Sequence, residues 1–246
     1  MNNKNINEIT ADLSYVKSES FRFFAHDINN IFNNVRSSTE LCKIFLADSS
    51  KINEVINQLN LIYGQIARGI KLVSNVRYLS MVSELSHEIG PFNIVKILDR
   101  AIRNVKKSFM DKKINIQLNS SSKKITLKVN ELLSEVFENL LINSVLHNLK
   151  DPITITIDIT GVLKDKKNYI KIQFLDNGIG ISDNCKEWIF RNSFQKEKYG
   201  KGMGFGLTLI KEIIKSYGGL IWVEDRIKGD YSQGSNFTFL LPVEPG

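Results

Sequence analysis

The sequence predicts an α+β protein: an N-terminal helical hairpin that forms a dimeric four-helix bundle, followed by an α/β sandwich with a mixed sheet. Two observations support this prediction. The first ~85 residues contain no proline and only two glycines, and their apolar residues repeat with a helical period. From residue 92 onwards, helical segments alternate with short segments rich in β-branched residues. With 246 residues, 42% of them apolar, the chain can bury a core in each part.

The predicted hairpin consists of a helix from about Thr10 to Leu46 and a second helix from Ile52 to Leu79, joined by a turn at 47–51. Apolar residues of the first helix alternate steps of three and four, which is the a/d seam of a helix that packs on a partner. The second helix has a wider apolar stripe, as expected for a helix with more than one neighbour. Two copies of the hairpin would bury that stripe, so we predict a homodimer. The first seam contains Phe21, Phe24, Ile28, Ile31, Val35, Ser38, Cys42 and Phe45.

His26 lies outside this seam. With Phe21 and Phe24 at core positions, its side chain falls on the outward face of the first helix. A solvated polar face is the simplest interpretation of such a histidine. Asp27, however, can hold the imidazole tautomer and accept its proton, and Asn30 lies one turn away, where an amide can orient a water but cannot ionise. These three residues are the candidate catalytic group.

The character of the sequence changes near residues 84–91. We therefore predict residues 1–84 as one domain, 85–91 as a linker and 92–246 as a second domain. Glycine-rich connections of the second domain are predicted on one side of its sheet, where backbone can approach a ligand. Its predicted helices are 92–110, 130–147 and 207–217, and its predicted strands are 114–118, 124–129, 153–159, 169–174, 219–224 and 236–241.

Three polar side chains share one face of the helix predicted at 130–147. Asn139, Asn143 and His147 follow one another at intervals of four residues. Amide oxygens suit Mg²⁺, which usually arrives with nucleotide phosphates. Ordinary surface asparagines are the alternative, but the apolar residues between them indicate that these amides border the core.

Asp176 ends a predicted strand and precedes a turn that contains Gly178 and Gly180. A carboxylate at this point can accept the exocyclic amine of adenine, or it can cap its own turn. Farther on, a glycine triplet opens the last predicted helix at Leu207, where free backbone amides favour a phosphate. The triplet is not a P-loop, because no Gly-Lys-Ser/Thr follows it. Its members are Gly202, Gly204 and Gly206.

In this order, the motifs resemble those of the dimerisation and catalytic core of a sensor histidine kinase, and the resemblance covers nearly the whole chain. It implies a gyrase-type, or Bergerat-type, ATP-binding fold for the second domain. It also implies an ATP-dependent histidine kinase of a two-component system, with ATP and Mg²⁺ as cofactors and a response regulator as partner. The matching segments are 26–30 (H box), 139–143 (N box), 176–180 and 202–207 (glycine boxes), 189–194 (phenylalanine box) and 234–239 (last box).

The resemblance assigns roles to the candidate catalytic group. His26 would take the γ-phosphoryl group of ATP and pass it to an aspartate of the regulator. Asp27 would accept the proton, and Asn30 would align a water that dephosphorylates the regulator. Many family members have Thr-Pro where this chain has Asn30 and Ile31, so no proline bend is expected in the first helix.

The resemblance also implies an ATP site in the second domain. Asn143 would bind Mg²⁺, and Asn139 would support the phosphates. His147 would stack near the adenine, and Asp176 would accept its amine. Segment 184–201 would form a lid over the nucleotide. Further implied contacts to the nucleotide come from Lys198, Lys201, Leu207 and the two glycine boxes.

Two departures from related families bear on the reaction. Gyrase-type ATPases are expected to have a glutamate base at the position of Asn139, and an amide cannot activate water as a base, which favours transfer to His26 over hydrolysis. Leu146 stands where a basic phosphate ligand is common.

Two other functions stay open as alternatives. One is a phosphotransfer protein with a weakened nucleotide domain, which would lose the glycine boxes. The other is a gyrase-type ATPase or serine kinase, which would lack the heptad rod.

Composition narrows the partners and the location. The net charge is +7, but the lysines occur as scattered pairs without interleaved aromatics. We therefore expect a solvated surface and no nucleic acid, with attraction of an acidic partner protein or of the nucleotide itself as the alternatives. Cys42 and Cys185 lack ligand spacing. The chain has no long apolar run and no secretory start, so we expect a cytoplasmic chain without membrane contact of its own, whether complete or the core of a membrane-anchored parent.

Overall fold

The structure is a computed structural model that describes residues 3–82, 89–190 and 205–243. The described chain divides into two compact units. Residues 3–77 form the first unit, and the described residues from 78 onwards form the second. Within these described ranges, no helix is both long enough and apolar enough to cross a membrane.

The first unit is the predicted helical hairpin. Its helices are α1 (Asn3–Phe45) and α2 (Ile52–Val82), and a single 3₁₀ turn, Ser49–Lys51, connects them. The last five residues of α2, 78–82, are counted with the second unit. Asp48 starts this turn because its carboxylate accepts hydrogen bonds from the backbone nitrogen and the hydroxyl of Ser50. The first helix begins seven residues earlier than the sequence predicts.

α1 and α2 pack along the predicted seam. Ile31 of α1 and Leu72 of α2 are buried, and a Cβ built on Gly69 would lie 3.8 Å from Cγ2 of Ile31. At the other end of the seam, Cys42 and Val55 are buried. A second apolar row on α2 has no partner among the described residues, and its members are 49–77% exposed. This exposed row consists of Ile52, Ile56, Leu59, Tyr63, Ile66, Ile70 and Val73.

The second unit is an α/β sandwich. Its strands are β1 (Gly90–Asn93), β2 (Ile114–Ser120), β3 (Thr126–Val129), β4 (Ile153–Lys164), β5 (Lys167–Asp176), β6 (Leu220–Ile227) and β7 (Asp230–Pro242). A five-stranded sheet has the order β2-β4-β5-β7-β6, in which β2 and β4 are parallel and the other neighbours are antiparallel. A separate pair, β1 and β3, is antiparallel. The helices are α3 (Ile94–Ser108), α4 (Leu132–Leu146), α5 (Asp183–Lys186) and α6 (Phe205–Ser216).

The core of the second unit lies between one face of the large sheet and helices α3, α4 and α6. Its centre is a cluster of three fully buried rings, in which Phe137 of α4 lies 5.9 Å from Phe174 and 6.1 Å from Phe239 between ring centroids. The predicted α+β class with a mixed sheet is therefore confirmed. This packing fixes α4 against the end of β5, where the candidate nucleotide residues lie.

The entry into the second unit differs from the prediction. Gly90 and Pro91, assigned to the linker by the sequence, pair with β3 as the start of β1. The helix predicted from residue 92 begins at Ile94, because Asn93 is its N-cap and accepts a hydrogen bond from the backbone nitrogen of Val95 at 3.1 Å. The last helix begins at Phe205, two residues before the predicted start.

Candidate functional site

The structure brings the three candidate catalytic residues of α1 together. The His26 side chain is 69% exposed, and its Nδ1 lies 3.5 Å from Oδ1 of Asp27, whose side chain is only 8% exposed. Nδ2 of Asn30 lies 3.2 Å from the same His26 nitrogen. Neighbouring residues on a helix point about 100° apart, so the contact between His26 and Asp27 depends on side-chain rotamers as well as on spacing.

The contacts of Nδ1 favour one tautomer of His26. A carboxylate only accepts hydrogen bonds, so the contact with Asp27 needs a proton on Nδ1. Asn30 is compatible with a proton on Nδ1 if its amide group is flipped, because its oxygen then faces the ring and accepts that proton. Hydrogen bonds to a charged group are the stronger ones, so Asp27 decides the balance. The lone pair is then on Nε2 of an exposed imidazole.

α4 carries the predicted amide row from the core to the surface. Asn139 is buried, and its Nδ2 donates to the backbone oxygen of Glu135 at 2.8 Å, so Oδ1 is the atom left for a ligand. Asn143 is half-buried, and its side chain makes no hydrogen bond to another described residue. His147 is exposed at the C-terminal end of the helix.

Asp176 is 5% exposed at the end of β5, where donors surround its carboxylate. Oδ1 accepts from the backbone nitrogens of Gly178 at 2.8 Å and Ser235 at 3.4 Å. Oδ2 accepts from the hydroxyl of Ser235 at 2.5 Å and lies 3.5 Å from the hydroxyl of Ser144. Turn capping, the alternative role for Asp176, is thus present, but it occupies Oδ1 alone.

Oδ2 of Asp176 retains capacity for one more donor. The Ser144 hydroxyl has a single proton, and its 3.1 Å contact with the backbone oxygen of Leu140 is shorter than its 3.5 Å contact with Oδ2. That proton therefore goes to Leu140. A carboxylate oxygen has two lone pairs, and Ser235 uses one of them.

Close backbone packing explains the glycines that follow Asp176. A Cβ on Gly178 would lie 2.6 Å from the backbone oxygen of His147, and one on Gly180 would lie 1.6 Å from that of Tyr231. Gly180 also has φ +69°, a conformation that favours glycine. On the opposite strand, a Cβ on Gly234 would lie 2.0 Å from the backbone oxygen of Asp176. These glycines serve backbone contacts within the protein, a requirement separate from ligand approach.

Asn177 locks the same turn to the loop after α4. Its Oδ1 accepts from Nδ2 of Asn148 at 2.7 Å and from the backbone nitrogen of Thr154 at 2.8 Å. Its Nδ2 donates to the backbone oxygen of Pro152 at 3.2 Å. Since Asn177 directly follows Asp176, this network fixes the direction of the candidate adenine-binding carboxylate.

The second glycine box lies partly within the described residues. Gly206 is in the first turn of α6, and a Cβ there would lie 3.9 Å from Oδ1 of Asn139, so the structure brings these two predicted residues together. Leu207 is half-buried and packs against the core. Four predicted residues lie outside the described ranges: Lys198, Lys201, Gly202 and Gly204.

The described start of the predicted lid is anchored at both ends. Nζ of Lys186 contacts the carboxylates of Asp183 and Asp225. Burial works to lower the pKa of Lys186, but its hydrogen bonds to the two carboxylates prevail and raise it. At the other end, Phe190 packs edge-on against Phe237, with ring centroids 6.2 Å apart.

Sequence reasoning missed the residues that support Asp176. Ser235 is part of the last family box, so a signal for it was present. Asn177 is part of the first glycine box, so a signal for it was present as well. Asn148 has no such signal, because its contact with Asn177 joins residues 29 positions apart.

Residues 128–245 match the family model described as histidine kinase-, DNA gyrase B- and HSP90-like ATPase. The chain is 27% identical to the uncharacterized sensor-like histidine kinase ycf26 of Porphyra purpurea, over 94% of this chain and 37% of that protein. It is 36% identical to the adaptive-response sensory kinase SasA of Synechocystis, over 46% of this chain and 28% of that protein. The chain thus spans well under half the length of these relatives.

Among solved structures, histidine kinase ThkA in complex with the response regulator protein TrrA has a TM-score of 0.62. The similarity covers 96% of this chain and 66% of ThkA at 16% identity, and it shows a shared fold. Together, these similarities confirm the resemblance predicted from the sequence, to the core of a sensor histidine kinase.

Proposed function

We propose that this chain, which has the motifs and fold of a sensor histidine kinase core, is an ATP-dependent histidine kinase. It phosphorylates itself on His26 and passes the group to an aspartate of a response regulator. The observation that carries the proposal is the exposed imidazole of His26, whose Nδ1 lies 3.5 Å from the buried carboxylate of Asp27. The proposal includes the predicted division into a dimerisation and phosphotransfer domain (1–84), a linker (85–91) and a catalytic domain (92–246), in which the last two linker residues pair with β3.

The chemical step uses the lone pair on Nε2 of His26. Nε2 attacks the γ-phosphorus of ATP, an N–P bond forms, the bond to the β,γ-bridging oxygen breaks, and ADP leaves. Attack makes the ring cationic, and Asp27 then accepts or balances the Nδ1 proton. A carboxylate shielded from water does this more strongly than one in bulk solvent.

The ATP site is proposed between α4, the end of β5 and the start of α6. Oδ2 of Asp176 has a free lone pair for the exocyclic amine of adenine, and exposed His147 is available to stack beside it. Asn139 lies beside the proposed phosphate site, with an amide in place of a carboxylate base. Its Oδ1 can only accept hydrogen bonds, so it would support the phosphates through a water or the Mg²⁺ ion. The remaining proposed contacts are Gly178, Gly180, Lys198, Lys201, Gly202, Gly204, Gly206 and Leu207.

Asn143 is the proposed Mg²⁺ ligand. Its amide makes no hydrogen bond to another described residue, and an amide oxygen suits a cation that takes oxygen ligands. No cluster of three or more His, Cys, Asp or Glu side chains among the described residues could hold a metal by itself. A single amide ligand fits Mg²⁺, which usually keeps several waters and binds together with the nucleotide phosphates. When bound, such an ion neutralises phosphate charge.

Two partners belong to the proposal. The exposed apolar row on α2 supports a homodimer, since a second hairpin would cover it. The similarity to ThkA, whose structure includes a response regulator, supports a receiver domain as the acceptor. Asn30, exposed beside Nδ1 of His26, is the proposed residue that orients water for regulator dephosphorylation. We place the reaction in the cytoplasm, where ATP is abundant.

Incubation with γ-labelled ATP and Mg²⁺ tests the phosphorylation site. We expect acid-labile, base-stable label on the wild type and loss of at least about 99% of it in His26→Gln, because no other side chain replaces the nucleophile. His87→Gln is the matched control, because it removes a histidine of the predicted linker that has no proposed role, and it should keep its label. Label that persists in His26→Gln would reject the proposal.

A further inference from the structure

Positive charge is concentrated in one stretch of the second unit. Residues 94–128 contain ten lysines and arginines and two aspartates, a net charge of +8, whereas the whole chain has +7, so the remainder comes to −1. All ten cations are exposed. Among the described residues, Lys113 is the one cation of the ten in an ion pair, with its Nζ 3.7 Å from Oδ2 of Asp151. The ten are Lys96, Arg100, Arg103, Lys106, Lys107, Lys112, Lys113, Lys123, Lys124 and Lys128.

Four of these cations form a stripe along α3. Their spacing of four, three and four residues puts them on one face of the helix, over a length of about 16 Å. The opposite face of α3 is buried in the core, so the stripe faces solvent. The cationic stripe consists of Lys96, Arg100, Arg103 and Lys107.

A cavity of about 180 Å³ opens beside the stripe. Ligand pockets for drug-sized molecules have about 300–1,000 Å³, so this cavity suits one side chain better than a nucleotide. Its lining combines charge with apolar surface, since Phe92 and Ile97 contribute apolar atoms and Glu131 a carboxylate. The other lining residues are three members of the stripe, Lys96, Arg100 and Arg103.

We propose that the cationic stripe and this cavity form a docking surface for an acidic segment of a partner protein. Carboxylates of the segment would pair with the stripe, and one apolar side chain between them would enter the cavity. A nucleic acid is disfavoured because the stripe carries no aromatic ring on which bases could stack. A bilayer is disfavoured because α3 presents no row of exposed apolar residues beside its cations.

Fluorescence anisotropy with the full chain tests this docking surface. The probe is a labelled synthetic peptide with glutamates on both sides of a single leucine, at low salt. Arg100→Ala/Arg103→Ala should weaken its binding about fivefold, because two ion pairs are lost. Lys164→Ala/Lys167→Ala, which removes the same charge from the exposed β4–β5 turn, should stay within about twofold of the wild type.

A second peptide, with serine in place of leucine, tests the cavity and should bind the wild type about fivefold more weakly. The proposal fails if the wild type does not bind the leucine peptide. It also fails if both double variants weaken binding equally, since net charge alone would then explain the affinity. Equal binding of the two peptides would overturn the use of the cavity. Binding through the stripe to phosphatidylserine vesicles or single-stranded DNA, without binding to the peptide, would overturn the choice of partner.

Discussion

The two units differ in how completely each satisfies its own side chains. In the second unit, the three central phenylalanines are fully buried, and the buried carboxylate of Asp176 is surrounded by donors. In the first unit, the seven apolar side chains of the exposed row on α2 remain 49–77% exposed. Within the described ranges, the buried side-chain polar atoms without a hydrogen-bond partner are Oε1 of Gln65 and Oδ1 of Asn75, and both belong to α2.

The second unit covers its apolar core with its own residues, whereas the first unit leaves an apolar row that another surface would have to cover. A buried amide oxygen without a donor costs about 1–3 kcal/mol, and an uncovered apolar row gains nothing from its own chain. We therefore expect the second unit to respond to changes in its own packing. We expect the first unit to respond to changes that disturb a second copy.

The strongest test of the second unit is Gly180→Ala. The new Cβ would overlap the backbone oxygen of Tyr231, 1.6 Å away, at a φ of +69°. Two backbone segments would have to separate, so we expect a loss of about 3–4 kcal/mol in the free energy of unfolding. Both tryptophans, Trp188 and Trp222, are in the second unit, so urea unfolding followed by tryptophan fluorescence reports on this unit.

Gly161→Ala is the matched control. No atom lies within 4 Å of a Cβ built there, and we expect a change within about 0.5 kcal/mol. Equal losses in the two variants would show that the glycine turn after Asp176 is not held by backbone packing.

Leu59→Glu tests whether the exposed row of the first unit contacts a second copy. Leu59 is in the exposed row, and in a dimer each copy would bury an unpaired carboxylate. We expect the dimer dissociation constant to rise at least about a hundredfold in sedimentation equilibrium. The tryptophan-monitored unfolding of the second unit should stay unchanged.

Leu61→Glu provides a closely matched control for this experiment. Leu61 is 54% exposed on the same helix, against 53% for Leu59, but it lies outside the row. It should leave the dimer intact. Equal effects of the two substitutions would contradict a dimer interface built on the row.

The hairpin and most of the large sheet could be predicted from the sequence because hydrophobic period is local information. The β4–β5 hairpin is an example, since both strands alternate buried and half-buried residues. β1 could not be predicted in this way. Gly90 and Pro91 have the composition of a chain break, and they form a strand only through pairing with β3.

The candidate site likewise contains residues whose position local sequence patterns predict and contacts that these patterns do not predict. Helical spacing predicted that Asn139 and Asn143 share a face, and strand ends predicted the position of Asp176. The partners of that carboxylate could not be predicted from spacing, because Ser235 is 59 residues away and reaches Asp176 only through the pairing of β5 with β7. Contacts of this kind depend on the tertiary fold.

A buried hydrogen bond of the second unit joins the residue after α6 to the residues before α4, and its loss should have the smallest effect of these substitutions. Tyr217, after α6, donates its hydroxyl to Oδ1 of Asn130 at 2.5 Å, and the same oxygen accepts from the backbone nitrogen of Leu132 at the start of α4. Tyr217→Phe removes the first bond and should cost about 1 kcal/mol near pH 8. Unfolding followed by tryptophan fluorescence measures this loss.

Burial raises the pKa of Tyr217 well above its ordinary value, which gives this contact a predictable pH dependence. Above about pH 10 the hydroxyl ionises in the unfolded chain but stays protonated in the folded one. The wild type then loses stability by about 1.4 kcal/mol per pH unit from this group, whereas Tyr217→Phe does not. The difference between the two proteins should therefore shrink and reverse above about pH 10. Tyr231→Phe, which removes a hydroxyl at a 47% exposed position, is the control, and its free energy of unfolding should fall with pH as that of the wild type does. If the free energy of unfolding of Tyr217→Phe fell equally steeply, the buried environment inferred for Tyr217 would be contradicted.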